Sequence, residues 1–284
     1  MSGQTFIDTL PNEMLSHVAS FLVHDDRSRC TFTRVSRRFC GVAHDTFDQG
    51  PAFQHACRCG YTEIVGLLLA DGRADPTAEG NHSLRWSAAE GHTDVVRLLL
   101  EDGRANPTAK DDYAILASSL KGHTDVVRLL LADARVNPAV RDNHAIRLSS
   151  ENGHADMVQL LLANVRVDPT AKDNYAFRWS IEGGHADVVQ LLLADGRVDP
   201  TAENNHAIKL ASTRGYAAVV KFLLEDGRAD PTADNNWAIR FSSYYGHADV
   251  VQLLLVDGRA DPTADHSFHS RKLISHFGRL TPFG

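Results

Sequence analysis

Gly60, Gly91, Gly122, Gly153, Gly184, Gly215 and Gly246 stand 31 residues apart without exception. Pro76, Pro107, Pro138, Pro169, Pro200, Pro231 and Pro262 keep the same interval. Between these marks the chain rewrites one phrase: GHTDVVRLLLEDGRANPTA from Gly91, GHADVVQLLLADGRVDPTA from Gly184, GHADVVQLLLVDGRADPTA from Gly246. A fixed period of this size is the signature of a stacked array, whose units are too small to bury their apolar faces alone and do so on their neighbours.

Each unit divides into two short helices. In DVVQLLLAD, Val188, Val189, Leu192 and Leu193 share one face and Leu191 widens it. Asp187 in the first turn suits the positive end of the helix dipole. The DGRVDPTA that follows stops the helix with glycine and proline. The other helix is read over 174–184, with Ala176, Phe177, Trp179 and Ser180 alternating with polar positions and Gly184 closing it in a left-handed conformation. Asn143, Asn174, Asn205 and Asn236 each precede a His, Tyr or Trp, and asparagine is a strong N-cap. The helix is therefore expected to start there.

The repeated phrase contains residues that resemble chemistry. His92, His123, His154, His185 and His247 each stand two residues before an Asp. Stacked helices lie about 8–10 Å apart, whereas ligands of one zinc ion must each come within about 2.0–2.3 Å of it. One histidine per unit cannot converge on one ion, so these imidazoles are expected to tie down the turn between helices. His55, Cys57 and Cys59 in HACRC lack a second cluster to complete a tetrahedral set, and Ala56 and Cys57 read as small buried residues. No phosphate loop, HExxH, GxSxG or paired CxxC is present. No enzyme is expected, and no catalytic, cofactor-binding or metal-binding residue is assigned.

Composition excludes further classes. The net charge of −7 argues against a nucleic-acid binder, which needs a basic face. No apolar run approaches the roughly 20 residues of a membrane helix, and the first residues lack the pattern of a signal peptide. Cys30, Cys40, Cys57 and Cys59 are too few and too bunched for a disulfide framework. A reduced, intracellular setting, cytoplasmic or nuclear, is expected, with the chain a monomer.

The period fails at both ends. Residues 1–48 read as three helical segments: Pro11 stands near a helix start, Met14, Leu15, Val18, Phe21 and Leu22 form a stripe, and Cys30, Phe32, Val35 and Phe39 follow a polar break. So small a unit is expected to lean on a partner. Residues 49–264 hold about seven repeats. Residues 265–284 keep Phe268, Leu273, Ile274 and Phe277 as one degenerate capping helix, with His266, His269, Arg271 and Lys272 facing water.

The stretch 50–76, GPAFQHACRCGYTEIVGLLLADGRADP, resembles an ankyrin repeat, with Pro51-Ala52-Phe53-Gln54 standing where that family writes Thr-Pro-Leu-His. Later copies depart from the pattern with HAIR, YAFR or WAIR, and the unit is shorter than the family's usual one. The resemblance thus implies shortened inter-repeat loops. The stretch 10–45 resembles an F-box through Leu10-Pro11-x-Glu13-Met14-Leu15, Phe21-Leu22 and Val35-Ser36-Arg37-Arg38-Phe39. Arg27 and Arg29 depart from it near positions that the family often fills with leucine. That resemblance implies a surface for Skp1, carried by Leu10, Pro11, Leu15, Phe21, Leu22, Val35 and Phe39, and through Skp1 a cullin–RING ubiquitin ligase. The competing reading is a segment that merely caps the first repeat.

Together the resemblances imply an all-α chain: a short three-helix F-box, then an ankyrin-repeat α-solenoid with shortened loops. The implied role is a substrate-recruiting adaptor of an SCF-type ligase. The alternative is an ankyrin scaffold with no ubiquitin link. Chains pairing these modules with such terse repeats are abundant in large DNA viruses and some protists, which would place this one in a host cytoplasm.

Identical units build a frame, so target specificity is expected where they differ. The residues before each turn glycine vary most: Ala89-Glu90, Leu120-Lys121, Glu151-Asn152, Glu182-Gly183, Thr213-Arg214 and Tyr244-Tyr245. A second row, His82, Tyr113, His144, Tyr175, His206 and Trp237, puts a ring at the same point of every unit; it reads equally as a stacked structural ladder. The expected target-binding set is Glu90, Leu120, Lys121, Glu151, Thr213, Arg214, Trp237, Tyr244 and Tyr245. Tyr and Trp dominate interface hot spots, so Trp237, Tyr244 and Tyr245 are the expected anchor, with Arg214 and Lys121 steering charge.

Overall fold

A computed structural model describes residues 49–72 and 74–261. The expectations for 1–48 and for the capping helix at 265–284 lie outside the described residues. Those that are described form fourteen helices and no strand. The chain divides between Ala114 and Ile115 into two compact units, and each is taken by itself.

The helices come in seven pairs, one pair per sequence period. The leading helix of each pair is α1 Gln49–Cys59, α3 Ala78–Ala89, α5 Ala109–Lys121, α7 Val140–Glu151, α9 Ala171–Glu182, α11 Ala202–Arg214 and α13 Ala233–Tyr244. The following helix is α2 Thr62–Asp71, α4 Thr93–Asp102, α6 Thr124–Ala132, α8 Ala155–Leu162, α10 Ala186–Asp195, α12 Ala217–Asp226 and α14 Ala248–Asp257. Among the described residues no helix is long and apolar enough to cross a membrane.

The following helices form as the periodicity predicts. Val188, Val189, Leu192 and Leu193 of α10 are buried, with Asp187 in the first turn. Gly196 ends it at φ 81°, a conformation that costs glycine little because it has no Cβ. Where that glycine is missing the helix is cut short. Ala134 and Val165 replace it after α6 and α8, and those helices run nine and eight residues instead of ten.

The leading helices start in an unexpected way. Before each right-handed helix from the second pair onward stand three successive residues with positive φ. In α9 they are Lys172, Asp173 and Asn174, at φ 56°, 57° and 57°. In α3 they are Glu79, Gly80 and Asn81. This is one turn of left-handed helix, closed by a hydrogen bond from Asn174 N to Thr170 O of 2.8 Å in α9 and by the same bond in the other pairs. The right-handed helix does begin after the asparagine, but the asparagine does not cap it. Except at Asn174, its Oδ1 turns instead to the following repeat: Asn81 accepts from Asn106 N at 2.6 Å, while Asn143, Asn205 and Asn236 accept from Asp168, Asp230 and Asp261 N at 2.8 Å.

Cores are built in layers. In the first unit Phe53, Leu84, Val95, Val96 and Leu99 are fully buried, and Ala56 and Cys57 lie among them as the sequence suggests. In the second unit Val126, Leu130, Ile146, Leu161, Val188, Ile208 and Val220 continue the pattern.

Candidate protein-binding face

Most of the recurring polar residues in the turns of the phrase have structural partners. In DGR the arginine grips the aspartate two residues before it and reaches back one repeat. Arg197 Nε and Nη2 donate to Asp195 Oδ1 and Oδ2 at 2.6 and 2.8 Å, and its Nη1 donates to Val167 O at 2.6 Å. Arg104, Arg228 and Arg259 do the same to Ala74, Val198 and Ala229. The arginine hydrogen bonds hold Asp102, Asp133, Asp195, Asp226 and Asp257 below the usual carboxylate range. In DPT, Asp199 Oδ1 accepts from Thr201 N and Oγ1 at 2.9 and 2.7 Å, which shapes the loop into a local turn.

The histidines tie down more than a turn. His92, His154, His185 and His247 donate from Nε2 to carbonyls 34 residues earlier, those of Arg58, Leu120, Glu151 and Thr213, at 2.8–3.0 Å. They therefore join one repeat to the end of the preceding leading helix rather than one helix to its own partner. His123 Nε2 has no hydrogen-bond partner. Among the described residues no three His, Cys, Asp or Glu side chains gather as a metal site. Burial pushes the Cys57 thiol up to about 12, far from a reactive thiolate.

The variable positions lie at the ends of the leading helices. Glu90, Leu120, Lys121 and Arg214 are exposed, and Glu151 and Thr213 are half-buried. Tyr244 and Tyr245 expose 63% and 54% of their surface and meet edge to face at 5.0 Å. The charge of Arg214 is already engaged: it pairs with Glu182 and donates to the Glu182 carbonyl at 2.8 Å.

The second row has packing duties that the sequence does not reveal. Trp237 stacks on Phe241 at 4.0 Å, and its Nε1 donates to Thr213 Oγ1 at 3.2 Å. Tyr175 OH donates to Glu151 Oε2 at 3.1 Å. These rings bridge repeats through hydrogen bonds to the preceding leading helix. Burial holds His82 and His144 below the ordinary imidazole range.

A third row, which the motifs do not point to, runs through Arg85, Arg147, Arg178, Lys209 and Arg240, with Leu116 interrupting it. The signal was the same 31-residue spacing. Arg85 donates to the carbonyls of Glu79 and Gly80 and lies 5.5 Å from the ring centre of Tyr113. Arg147 does likewise to Arg141 and Asp142, 5.1 Å from the ring of Tyr175. Arg85, Arg147 and Arg240 thus bond to carbonyls of the left-handed turn, whereas Arg178 and Lys209 pair with Glu203 and Asp234. The exposed end of α13, by contrast, presents Phe241, Tyr244 and Tyr245 as a contiguous aromatic cluster.

Comparison with known proteins agrees with this architecture. A family model described as ankyrin repeats (3 copies) matches residues 35–111, 151–236 and 177–266. A model described as F-box-like matches residues 7–48. Among solved structures, the chain is similar to the crystal structure of the ankyrin repeat domain of Bcl-3, a member of the IkappaB protein family. The TM-score is 0.53 at 21% identity, over 72% of this chain and 97% of that one. No curated protein matches the chain.

Proposed function

The chain belongs to the ankyrin-repeat family, and from that premise we propose that it is a substrate-recruiting adaptor of an SCF-type ubiquitin ligase. The observation that carries the reading is an F-box-like segment ahead of a protein-binding array. Residues 7–48 hold a Skp1-like protein, and through it a cullin–RING ligase, by way of Leu10, Pro11, Leu15, Phe21, Leu22, Val35 and Phe39. The helix pairs hold a target protein. The adaptor performs no bond chemistry itself and works inside the cell, in the cytoplasm or nucleus.

Two features support target binding at the ends of the leading helices. The repeated arginines and most of the repeated histidines are engaged in ties within the array, and the exposed variable ends offer the differences that recognition needs. There, Tyr244 and Tyr245 offer large rigid rings, the side chains that most often anchor protein interfaces.

The test is co-purification of the full chain with Skp1. Wild type should recover Skp1, and the double variant Leu10→Ala, Pro11→Ala should lose it while helical circular dichroism is unchanged. Loss of a buried leucine alone costs about 2–5 kcal/mol, enough to take a micromolar contact below detection. Recovery of a target without any Skp1 would leave the scaffold reading in its place. Replacing Tyr244 and Tyr245 with Ala should weaken target binding by about 2 kcal/mol or more, with the thermal midpoint nearly unchanged.

A further inference from the structure

Three junctions between successive leading helices in the second unit can be compared rung by rung. At the junction of α7 with α9, Asn143 Oδ1 accepts from Asp168 N at 2.8 Å, Tyr175 OH donates to Glu151 Oε2 at 3.1 Å, and His185 donates to Glu151 O at 3.0 Å. At the junction of α11 with α13, Asn205 Oδ1 accepts from Asp230 N at 2.8 Å, Trp237 Nε1 donates to Thr213 Oγ1 at 3.2 Å, and His247 donates to Thr213 O at 2.9 Å.

The junction of α9 with α11 lacks these rungs. Asn174 Oδ1 is buried from solvent and has no hydrogen-bond partner. His206, at the place of Tyr175 and Trp237, makes no bond to Glu182 comparable with theirs. Tyr216 replaces the histidine, and its hydroxyl reaches the Glu182 carbonyl only at 3.5 Å, the outer limit of a hydrogen bond. What crosses on this side is exposed: Arg178 pairs with Glu203 at 3.3 Å, and Arg214 pairs with Glu182 and donates to its carbonyl at 2.8 Å in place of the histidine. Exposed ion pairs contribute little. The backward reach of Arg228 to Val198, at 2.9 Å, is kept.

The cause is legible in the packed face of α9. Where the leading helices on either side carry Ile146, Ile208 and Ile239, α9 carries Phe177; where they carry Ser150, Ser212 and Ser243, it carries Ile181. All eight are buried. Added volume in a close-packed layer displaces its neighbours. Here α9 and α11 approach over a shorter stretch than the flanking pairs do, and a crevice opens between them. It is lined by Asn174, Phe177, Ile181, Asp199, His206 and Leu210.

We propose that the junction of α9 with α11 is a built-in hinge, wedged by Phe177 and Ile181, at which the stretch from α7 to α13 opens first. Local opening is fastest where buried bonds are fewest. The hinge depends on no assumption about the bound partner.

Amide hydrogen exchange on the full chain tests it. The Asp199 amide should exchange about tenfold or more faster than those of Asp168 and Asp230, its counterparts at the flanking junctions. The double variant Phe177→Ile, Ile181→Ser should bring Asp199 to its counterparts' rate. Tyr216→His, which leaves Phe177 and Ile181 in place, should slow exchange across the same junction without changing the flanking ones. Equal exchange of the three amides in the wild-type chain would overturn the hinge, as would a Phe177→Ile, Ile181→Ser chain that folds and keeps the difference.

Discussion

Asn205 and Asn174 occupy equivalent positions, yet only one of them holds its neighbour. Replacing Asn205 with Ala removes the bond to the exposed Asp230 amide and should cost about 0.5–1.5 kcal/mol beyond the strain of alanine at φ 57°. Asn174→Ala removes an oxygen that no donor meets, so in the same denaturant titration it should cost less, by the strain of alanine at φ 57° alone. The serines give the reverse case. Ser150 Oγ is buried without a partner, and Ala88 fills the same position in α3. Ser150→Ala should therefore stabilise the protein by up to about 1 kcal/mol, read as a higher thermal midpoint. At this scale the sequence was half legible. Spacing alone ruled out metal chemistry for the histidines, because one imidazole per repeat cannot converge on an ion. It could not say that His185 bonds to Glu151 rather than to its own turn, because a partner 34 residues away is set by stacking geometry. The same holds for Trp237, whose bond to Thr213 exists only once two repeats are stacked.

The following helices were readable to within a residue or two, since apolar periodicity and a stop glycine act locally. The left-handed turns were not foreseen, because three successive positive-φ residues with side chains run against a cost of roughly 1–2 kcal/mol each. A signal was present all the same. The second and third positions of the six turns are Gly, Asp or Asn throughout, from Gly80-Asn81 to Asn235-Asn236, and these residues enter the left-handed region most readily. The prediction at this scale is a pair. Asp173→Gly should leave stability unchanged or raise it slightly, as Gly80 does the same task in α3. Asp173→Val should lower it by about 1–2 kcal/mol, both measured by thermal unfolding. An equal response to Gly and Val would contradict the turn.

Across the whole chain, protonation should unravel the array from its acidic ties. Asp102, Asp133, Asp195, Asp226 and Asp257 are all held below the usual carboxylate range by arginine. A depressed native pKa means that the unfolded chain binds more protons, so the stability these groups supply is present above about pH 4 and lost below it. His82 and His144, lowered by burial, act with the same sign at higher pH. Their contribution declines as pH falls through the unfolded imidazole range near about 6.5. Calorimetry from pH 8 to 3 should show a shallow loss followed by a steep one, and a flat profile would refute the ties. The backward reach of the arginines and histidines also has a consequence for how the chain is made. Arg197 and His185 seek carbonyls 30 and 34 residues earlier, already synthesised when they emerge. Closing loops of that length costs little more than closing shorter ones, and such near-neighbour contacts favour rapid folding. Each newly translated repeat finds its docking surface finished, so assembly can keep pace with the ribosome one period at a time.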